Sequence, residues 1–494
     1  MATFTVTNTN NSGAGSLRQE ILDANALTGK NIVNFSGLFN DGLAHTISLT
    51  SSGLSITDNL TIEGTNPNLL TIKDDSATRV FDIASGATAT INGLTITNSY
   101  KGTGGGGAIS NEGVFTLNNS IITGNTTESG STIYGFGDNS GYGGGIYNDG
   151  TLTVNYSTLN NNTAESGSSN FADGEGGGGG IYNNFGGTLT LNHSTLNNNT
   201  AEAGNSYESG GGGGIYDDGI LTVNYSTLSN NKTGTNSDYY SGGGIYSHSG
   251  KLVVNNSNIT GNTTSSSGGG IVSSSCVLNN SNITDNTAAY GGGIALGTAS
   301  DTFSYNGTFT LNYSNITSNS ATSDGGGIYN RGETLLVSKS TITGNSATSD
   351  GGGIDGINGY FHGGGPSGFF APPMLILGNI NVSNSTISDN QAHFGAGIYN
   401  DGNLTVGNST IKHNKAFGIK LSSNNYKSGE GGGIYHNSTD YASTAALIVP
   451  SNFARLDYST VASNFDTPQE DSTKFIKLDN LVGKFINKGS LVGV

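Results

Sequence analysis

The sequence has no tryptophan, one cysteine and six prolines among its 494 residues. A single cysteine, Cys276, excludes an intramolecular disulfide framework. No apolar run reaches the roughly 18 residues of a membrane-spanning helix, so we predict no membrane span. The first ten residues contain neither a basic segment nor an apolar segment, so no signal peptide is predicted from the sequence as written.

Charged side chains are also scarce, at 11% of the residues. Acidic residues outnumber basic ones, and the net charge is −17. The 18 lysines and arginines are scattered singly, so the sequence has no basic stripe and nucleic acid is not an expected partner.

Glycine is abundant, with 81 residues, and much of it belongs to a motif that recurs eleven times. In most repeats a glycine run precedes an isoleucine, a short strand such as LTV follows, and a segment such as S-T-I-x-x-N ends the repeat. The isoleucines are 23 to 44 residues apart, at positions 109, 146, 181, 215, 245, 271, 294, 328, 354, 398 and 434. A motif that recurs every 20 to 50 residues or so indicates a solenoid, in which each coil packs only on its neighbours.

Three columns of the aligned repeats are apolar in nearly every coil. They lie five and three residues before the serine and two residues after it, as in Leu152, Val154 and Leu159. Alternation within a strand points such residues inward, so stacked coils would superpose them in one core. An asparagine always follows the serine by five residues. We expect it to form a left-handed corner and to stack its amide on the next coil. Three short strands per coil then predict an all-β parallel β-helix.

Residues 1–35 lie outside the repeats and predict a strand followed by one helix, SLRQEILDANA. Ser16 and Gln19 have the spacing of a capping box, and a solenoid needs a cover at its end. We therefore divide the chain into an N-terminal cap at 1–35, a solenoid at 36–464 and a closing segment at 465–494.

Two segments carry a resemblance to a known group. Residues 6–25, VTNTNNSGAGSLRQEILDAN, and residues 143–164, GGGIYNDGTLTVNYSTLNNNTA, resemble bacterial right-handed parallel β-helix surface proteins. Their coils are polymorphic outer-membrane-protein-like or pectate-lyase-like. The resemblance implies a right-handed helix, an extracellular or cell-surface location and, in many members, an adhesin-like role.

The residue after the isoleucine is a tyrosine in seven repeats. If the isoleucine points inward, we expect these rings to be exposed as a ladder that stacks on sugars or on another chain. The tyrosines are Tyr147, Tyr182, Tyr216, Tyr246, Tyr329, Tyr399 and Tyr435.

Two further groups are candidates for binding. The loop at 355–378 is the most apolar excursion of the chain, and its residues Tyr360, Phe361, Phe369, Phe370 and Met374 either fold back or contact a partner. Asp324, Asp350 and Glu430 each precede an isoleucine by four residues, so carboxylates on successive coils could share calcium. No other cofactor is indicated.

Catalytic chemistry finds little support in the residue pattern. The four arginines show no acids in register, the seven histidines lack metal-ligand spacing, and the pairs Asp74-Asp75 and Asp217-Asp218 show no basic partner in the alignment. The sequence therefore predicts a non-catalytic structural or adhesive protein that binds itself head to tail, as a filament, or a cell-surface or matrix polysaccharide. The alternatives are a polysaccharide-binding module and a polysaccharide lyase or hydrolase.

Overall fold

The computed structural model describes residues 1–101, 105–128, 141–165, 177–202, 211–234, 241–248, 250–297, 307–361, 374–422, 425–427, 429–437, 454–467, 477–478, 481–482, 486–488 and 491–492. The chain forms two compact units, Met1–Val253 and Val254–Val494. Each unit consists of coils of a right-handed parallel β-helix, as predicted. Each regular coil supplies, in chain order, one strand to an anchor sheet, a middle sheet, a closing sheet and usually a short sheet. No helix in the described part of the chain is long and apolar enough to cross a membrane.

In the first unit the anchor-sheet strands begin at or align with the repeated isoleucines. They are Leu54–Ile56, Phe81–Ile83, Ile109–Asn111, Ile146–Asn148, Ile181–Asn183, Ile215–Asp217 and Ile245–Ser247. The middle-sheet strands are Thr3–Val6, Asn31–Phe35, Leu60–Glu63, Thr88–Asn92, Val114–Asn118, Thr151–Asn155, Thr188–Asn192 and Ile220–Asn224. The closing-sheet strands are His45–Leu49, Leu70–Asp74, Thr95–Thr97, Ile121–Thr123, Thr158–Asn160, Thr195–Asn197 and Thr227–Ser229. The short-sheet strands are Tyr100–Lys101, Thr126–Thr127, Thr163–Ala164, Thr200–Ala201 and Lys232–Thr233. One more strand, Lys251–Asn255, crosses the division between the units.

The second unit repeats this plan. Its anchor-sheet strands are Ile271–Ser273, Ile294–Leu296, Ile328–Arg331, Ile354–Ile357, Ile398–Asn400, Ile434–His436 and Leu481–Val482. The middle-sheet strands are Cys276–Asn279, Thr308–Asn312, Thr334–Ser338, Asn379–Ser383, Asn403–Gly407, Ala454–Asp457 and Ile486–Lys488. The closing-sheet strands are Asn258–Thr260, Asn282–Thr284, Asn315–Thr317, Thr341–Thr343, Thr386–Ser388, Thr410–Lys412, Thr460–Ala462 and Leu491–Val492. The short-sheet strands are Thr287–Ala288, Ser320–Ala321, Ser346–Ala347, Gln391–Ala392, Lys415–Phe417, Phe465–Thr467 and Lys477–Leu478. Two antiparallel hairpins interrupt the coils, Gly359–Phe361 with Met374–Ile376 and Ile419–Ser422 with Asn425–Lys427.

The predicted apolar columns line the core of each unit. Leu152 lies beside Leu189 and Val154 beside Leu191 on neighbouring parallel strands, and all four side chains are fully buried. Burial of one such side chain stabilises the fold by roughly 1.5–3 kcal/mol, and every coil adds several. The short sheet was not predicted, because a two-residue strand such as Thr163–Ala164 is too short to show a period.

The repeated asparagine holds neighbouring coils together with its buried amide. Asn162 Nδ2 donates to Asn199 Oδ1 at 3.0 Å and to the Ile122 carbonyl at 3.0 Å. The predicted amide stack is therefore present, but the left-handed corner lies one residue earlier than predicted. Asn161 has a φ of 54° and Asn198 a φ of 55°.

The N-terminal segment forms the predicted strand and helix. The helix spans Leu17–Asn25, and the Ser16 hydroxyl accepts a hydrogen bond from the Gln19 N–H at 3.2 Å. Leu17 and Ile21 are buried, as expected of an end cap. The division of the chain at residues 35 and 464 stays a prediction.

Candidate functional site

The predicted tyrosine ladder exists in the first unit, but its rings are not exposed. Tyr182 and Tyr216 occupy matching positions on neighbouring strands, and their rings stack at 4.6 Å with an interplanar angle of 4°. Tyr182, Tyr216 and Tyr246 are only 3%, 1% and 5% exposed, and Tyr147 is half-buried. The prediction of exposed rings is therefore wrong, and these tyrosines pack against one another.

The glycine run packs closely on this column: in the first unit, a Cβ on Gly212 or Gly242 would lie 2.8 Å from the backbone nitrogen of Tyr216 or Tyr246. The glycine three residues before the isoleucine folds the backbone back over the residue that follows the isoleucine. Gly395 has a φ of 54°, and a Cβ there would lie 2.6 Å from the Tyr399 backbone. Gly351 has a φ of 62°, and a Cβ there would lie 2.4 Å from the Asp355 Cβ. No other residue permits such an approach at a left-handed backbone position without strain.

The same column has a different composition in the second unit. Tyr329, Asp355, Tyr399 and Tyr435 lie in register on successive strands, so an aspartate occupies a tyrosine position. Tyr329 is 8% exposed, whereas Tyr399 and Tyr435 are half-buried and stack at 5.4 Å. Sequence reasoning followed the tyrosines and missed Asp355, although it is the one acidic residue among the four exceptions to the column, Ser110, Val272, Ala295 and Asp355.

Asp355 is a buried acid without compensation. It is 1% exposed, and its Oδ1 has no hydrogen-bond partner among the residues that the structure describes. Burial raises the pKa of Asp355 well above its ordinary value, and the charges of Asp324, Asp350 and Asp401 raise it further. A carboxyl group in this environment favours the protonated form.

The groups around Asp355 lie closer to solvent. The Asp350 N–H donates to the Asp324 carboxylate at 3.1 Å, and both side chains are half-buried. The Tyr399 hydroxyl donates to the half-buried Asp401 carboxylate. Burial raises the pKa of Asp401, while its hydrogen bonds with Asn437 and Tyr399 oppose this shift. We call Asp324, Asp350, Asp355, Asp401 and Tyr399 the acid–tyrosine cluster.

The three residues predicted to share calcium are only partly brought together. Asp324 and Asp350 are neighbours, but Phe394 lies between Asp350 and Glu430 in the ladder of coils. Within the described ranges, no group of three or more histidine, cysteine, aspartate or glutamate side chains is arranged to hold a metal ion. Calcium binding stays a prediction.

The predicted partner-contact residues lie at the long excursion of the second unit. Tyr360 and Phe361 form one strand of an antiparallel hairpin, and Met374 begins the other. Phe369 and Phe370 lie outside the described residues. Contact with a partner through this loop stays a prediction.

Both aspartate pairs have basic partners, contrary to the sequence prediction. Asp75 Oδ1 lies 2.7 Å from Lys73 Nζ, and Asp218 Oδ1 lies 3.0 Å from His248 Nδ1. Asp218 and His248 each follow their isoleucine by three residues, so a comparison of that column would have revealed the pair. Asp217 is fully buried and accepts from Asn183 Nδ2 at 2.6 Å and from Ser247 Oγ at 3.1 Å.

Comparisons with known proteins give few matches. No protein-family model matches the chain, and no curated protein matches it. Among solved structures, the A-module of mannuronan C-5 epimerase AlgE6 from Azotobacter vinelandii has 13% identity and a TM-score of 0.37, covering 99% of this chain and 98% of that chain. The A-module of AlgE4 from the same organism has 12% identity and a TM-score of 0.33, covering 82% and 91%.

These comparisons correct the predicted function. Both similar structures are modules of enzymes, which contradicts the prediction of a non-catalytic structural or adhesive protein. We therefore do not retain the non-catalytic role or the filament. Identities of 12% and 13% assign neither a substrate nor a residue role to this chain, so its function must be argued from its own side chains.

Proposed function

We propose that this protein acts on polysaccharides and that the acid–tyrosine cluster is where a glycan chain binds and reacts. The observation that carries the proposal is Asp355, a buried carboxyl with an unpartnered oxygen among three other aspartates. Burial also raises the pKa of the neighbouring Asp401, and carboxyl groups whose pKa is raised are typical of proton donors that work near neutral pH.

The members of the cluster have different proposed roles because they are buried to different extents. Tyr399 and Asp401 are half-buried and hydrogen-bonded to each other, so they can contact a glycan and exchange a proton with it. Asp355 lies beneath the surface and acts as a positioning group that sets the charge around them. The stacked rings of Tyr399 and Tyr435 offer an apolar face with polar tips, which suits a sugar.

A polymer fits this surface better than a single sugar. The coils repeat at the strand spacing of roughly 4.8 Å, and a chain laid across them meets related side chains at each step. An extracellular or cell-surface location, where such polymers occur, is part of the proposal. So is the finer relationship to bacterial surface repeats that the opening segment and coils resemble.

Turnover on a panel of neutral, uronic-acid and amino-sugar polymers tests the proposal. New reducing ends, ultraviolet absorbance of unsaturated products and NMR of sugar configuration together detect hydrolysis, elimination and epimerisation. We expect Tyr399→Phe and Asp401→Asn each to lower turnover by roughly 100-fold, the usual contribution of a proton-transfer group. The controls Tyr313→Phe and Asp285→Asn change exposed residues of the same unit and should retain it. Absence of turnover on every polymer, or equal losses in the controls, would contradict the proposal.

A further inference from the structure

We infer that the glycan bound at the acid–tyrosine cluster carries free amino groups, so that its substrate class is a cationic amino-sugar polymer. This inference rests on the function proposed above and names the ligand of that same site. Its basis is the sign of the charges at the cluster and the Asp355 Oδ1, which has no hydrogen-bond partner among the described residues.

The charges on the strands at this site and on the residues that flank them are strongly unbalanced. Four aspartates belong to the cluster, and the half-buried Glu430 lies two coils beyond Asp350. The four anchor-sheet strands that begin at Ile328, Ile354, Ile398 and Ile434 contain two basic residues, Arg331 and His436. His436 is 2% exposed, and burial lowers its pKa, so it adds no positive charge near neutral pH. Across residues 324–331, 350–357, 394–401 and 430–437, five acids are therefore opposed by one charged basic residue, Arg331.

The three chemical classes of glycan differ sharply in such a field. A uronic-acid polymer would bring more carboxylates toward Asp350 and Asp401, and like charges at close range are unfavourable. A neutral polymer would leave the desolvation of these acids uncompensated. An ammonium group attracts each nearby carboxylate, and the attraction is stronger in a partly solvated site than in bulk water.

The depth of the groups favours an ammonium ion at the rim. Asp350 and Asp401 are half-buried and within reach of a ligand, so their oxygens can accept hydrogen bonds from an amine. Asp355 is 1% exposed and lies beneath them, and a cation bound at the rim favours its ionised form.

A matched pair of ligands tests the inference on the full chain. Glucosamine oligomers and N-acetylglucosamine oligomers of equal length share one backbone and differ in the charge of the amine. We expect calorimetric titration near pH 6 to show at least tenfold tighter binding of the free amine. Galacturonate oligomers should bind more weakly than both.

Matched charge variants separate this site from general attraction by a protein of net charge −17. The double variant Asp350→Asn with Asp401→Asn should lose at least tenfold in affinity for glucosamine oligomers. The double variant Asp285→Asn with Asp389→Asn changes the net charge equally at exposed corners of the same unit and should keep wild-type affinity.

The outcomes distinguish the inference from the function beneath it. Equal binding of the acetylated oligomer, tighter binding of galacturonate, or equal losses in both double variants would overturn the amino-sugar inference and leave the polysaccharide proposal standing. If no oligomer of any class binds and no polymer is turned over, the proposed action on polysaccharides is itself contradicted.

Discussion

The tyrosine column of the first unit and that of the second unit share one backbone but differ in chemistry. In the first unit, Tyr182 and Tyr216 stack almost in parallel and are buried. In the second, Asp355 takes a tyrosine position and is surrounded by further acids. Where the repeat is regular, the column packs the coils. Where Asp355 replaces a tyrosine, a buried acid appears, and the fold alone does not determine which occurs.

The largest effect should come from the amide ladder that both units share. Asn199 accepts two hydrogen bonds from Asn162, and its own amide donates to Asn231 and to the Leu159 carbonyl. Asn199→Ala removes all four inside the core, so we expect a loss of roughly 3–5 kcal/mol in the free energy of unfolding.

Urea denaturation measures this loss, and two variants complete the comparison. Asn345→Ala removes the equivalent amide in the second unit and should cost the same. Asn192→Ala, in a half-buried ladder, should cost less than about 1 kcal/mol. Similar costs for Asn192→Ala and Asn199→Ala would show that burial of the amide is not what matters.

The next largest effect concerns the departure itself. The pKa of Asp355 is higher in the folded chain than in the unfolded chain, so folding stability falls as the pH rises through the folded value. Asp355→Asn removes that ionisation, and we expect it to stabilise the protein near pH 8 and hardly at all near pH 4. Thermal unfolding across this range is the measurement. An unchanged slope in the variant would mean that Asp355 is not the titrating group.

A smaller effect is expected at the buried acid of the first unit. Burial raises the pKa of Asp217 from 3.8 to about 6, although Asn183, Ser247 and Gly219 donate hydrogen bonds to it. Stability should therefore be lost between those two pH values as the pH rises. Asp217→Asn keeps most of the hydrogen bonds and should gain about 2 kcal/mol near pH 8. A loss of stability in this variant would contradict the assignment.

The smallest effect concerns calcium at Asp324 and Asp350. Millimolar calcium should raise the melting temperature by only a few degrees, because two neighbouring carboxylates make a weak site. The double variant Asp324→Asn with Asp350→Asn should abolish the rise. The first unit has Tyr142 and Ser241 at matching positions and should contribute nothing. Equal melting temperatures with calcium and with a chelator would contradict calcium binding at these two aspartates.

Much of the fold could be predicted because every coil needs apolar side chains and an asparagine at the same positions. The column that contains Leu152 and Leu189 must be apolar in every coil, so the same buried position can be recognised in all eleven repeats. The amide stack of Asn162 was predictable for the same reason. The left-handed residue before it was not, since Asn161 has counterparts as different as Gly124, Ser318 and His413.

The site could not be predicted by the same means. Strand alternation placed the tyrosines outside the core, but it could not show that Gly351 and Gly395 fold the chain back over that position. Repetition also directs attention to what is shared, and Asp355 occurs once. The pairing of Asp218 with His248 joins two different residues at one column, which a search for identical residues passes over.

The one-way direction of the amide ladder has a consequence for how such a chain can change in length. Each core asparagine, Asn162 for example, offers a donor to the following turn and an acceptor to the preceding one. The donor that each turn presents to the next therefore matches the acceptor that every turn presents to the one before it. Duplication or removal of a whole turn between two such asparagines leaves every amide with a hydrogen-bond partner, so the chain can lengthen or shorten by complete turns without losing these bonds. An insertion of less than a turn must instead leave the coil as an external loop.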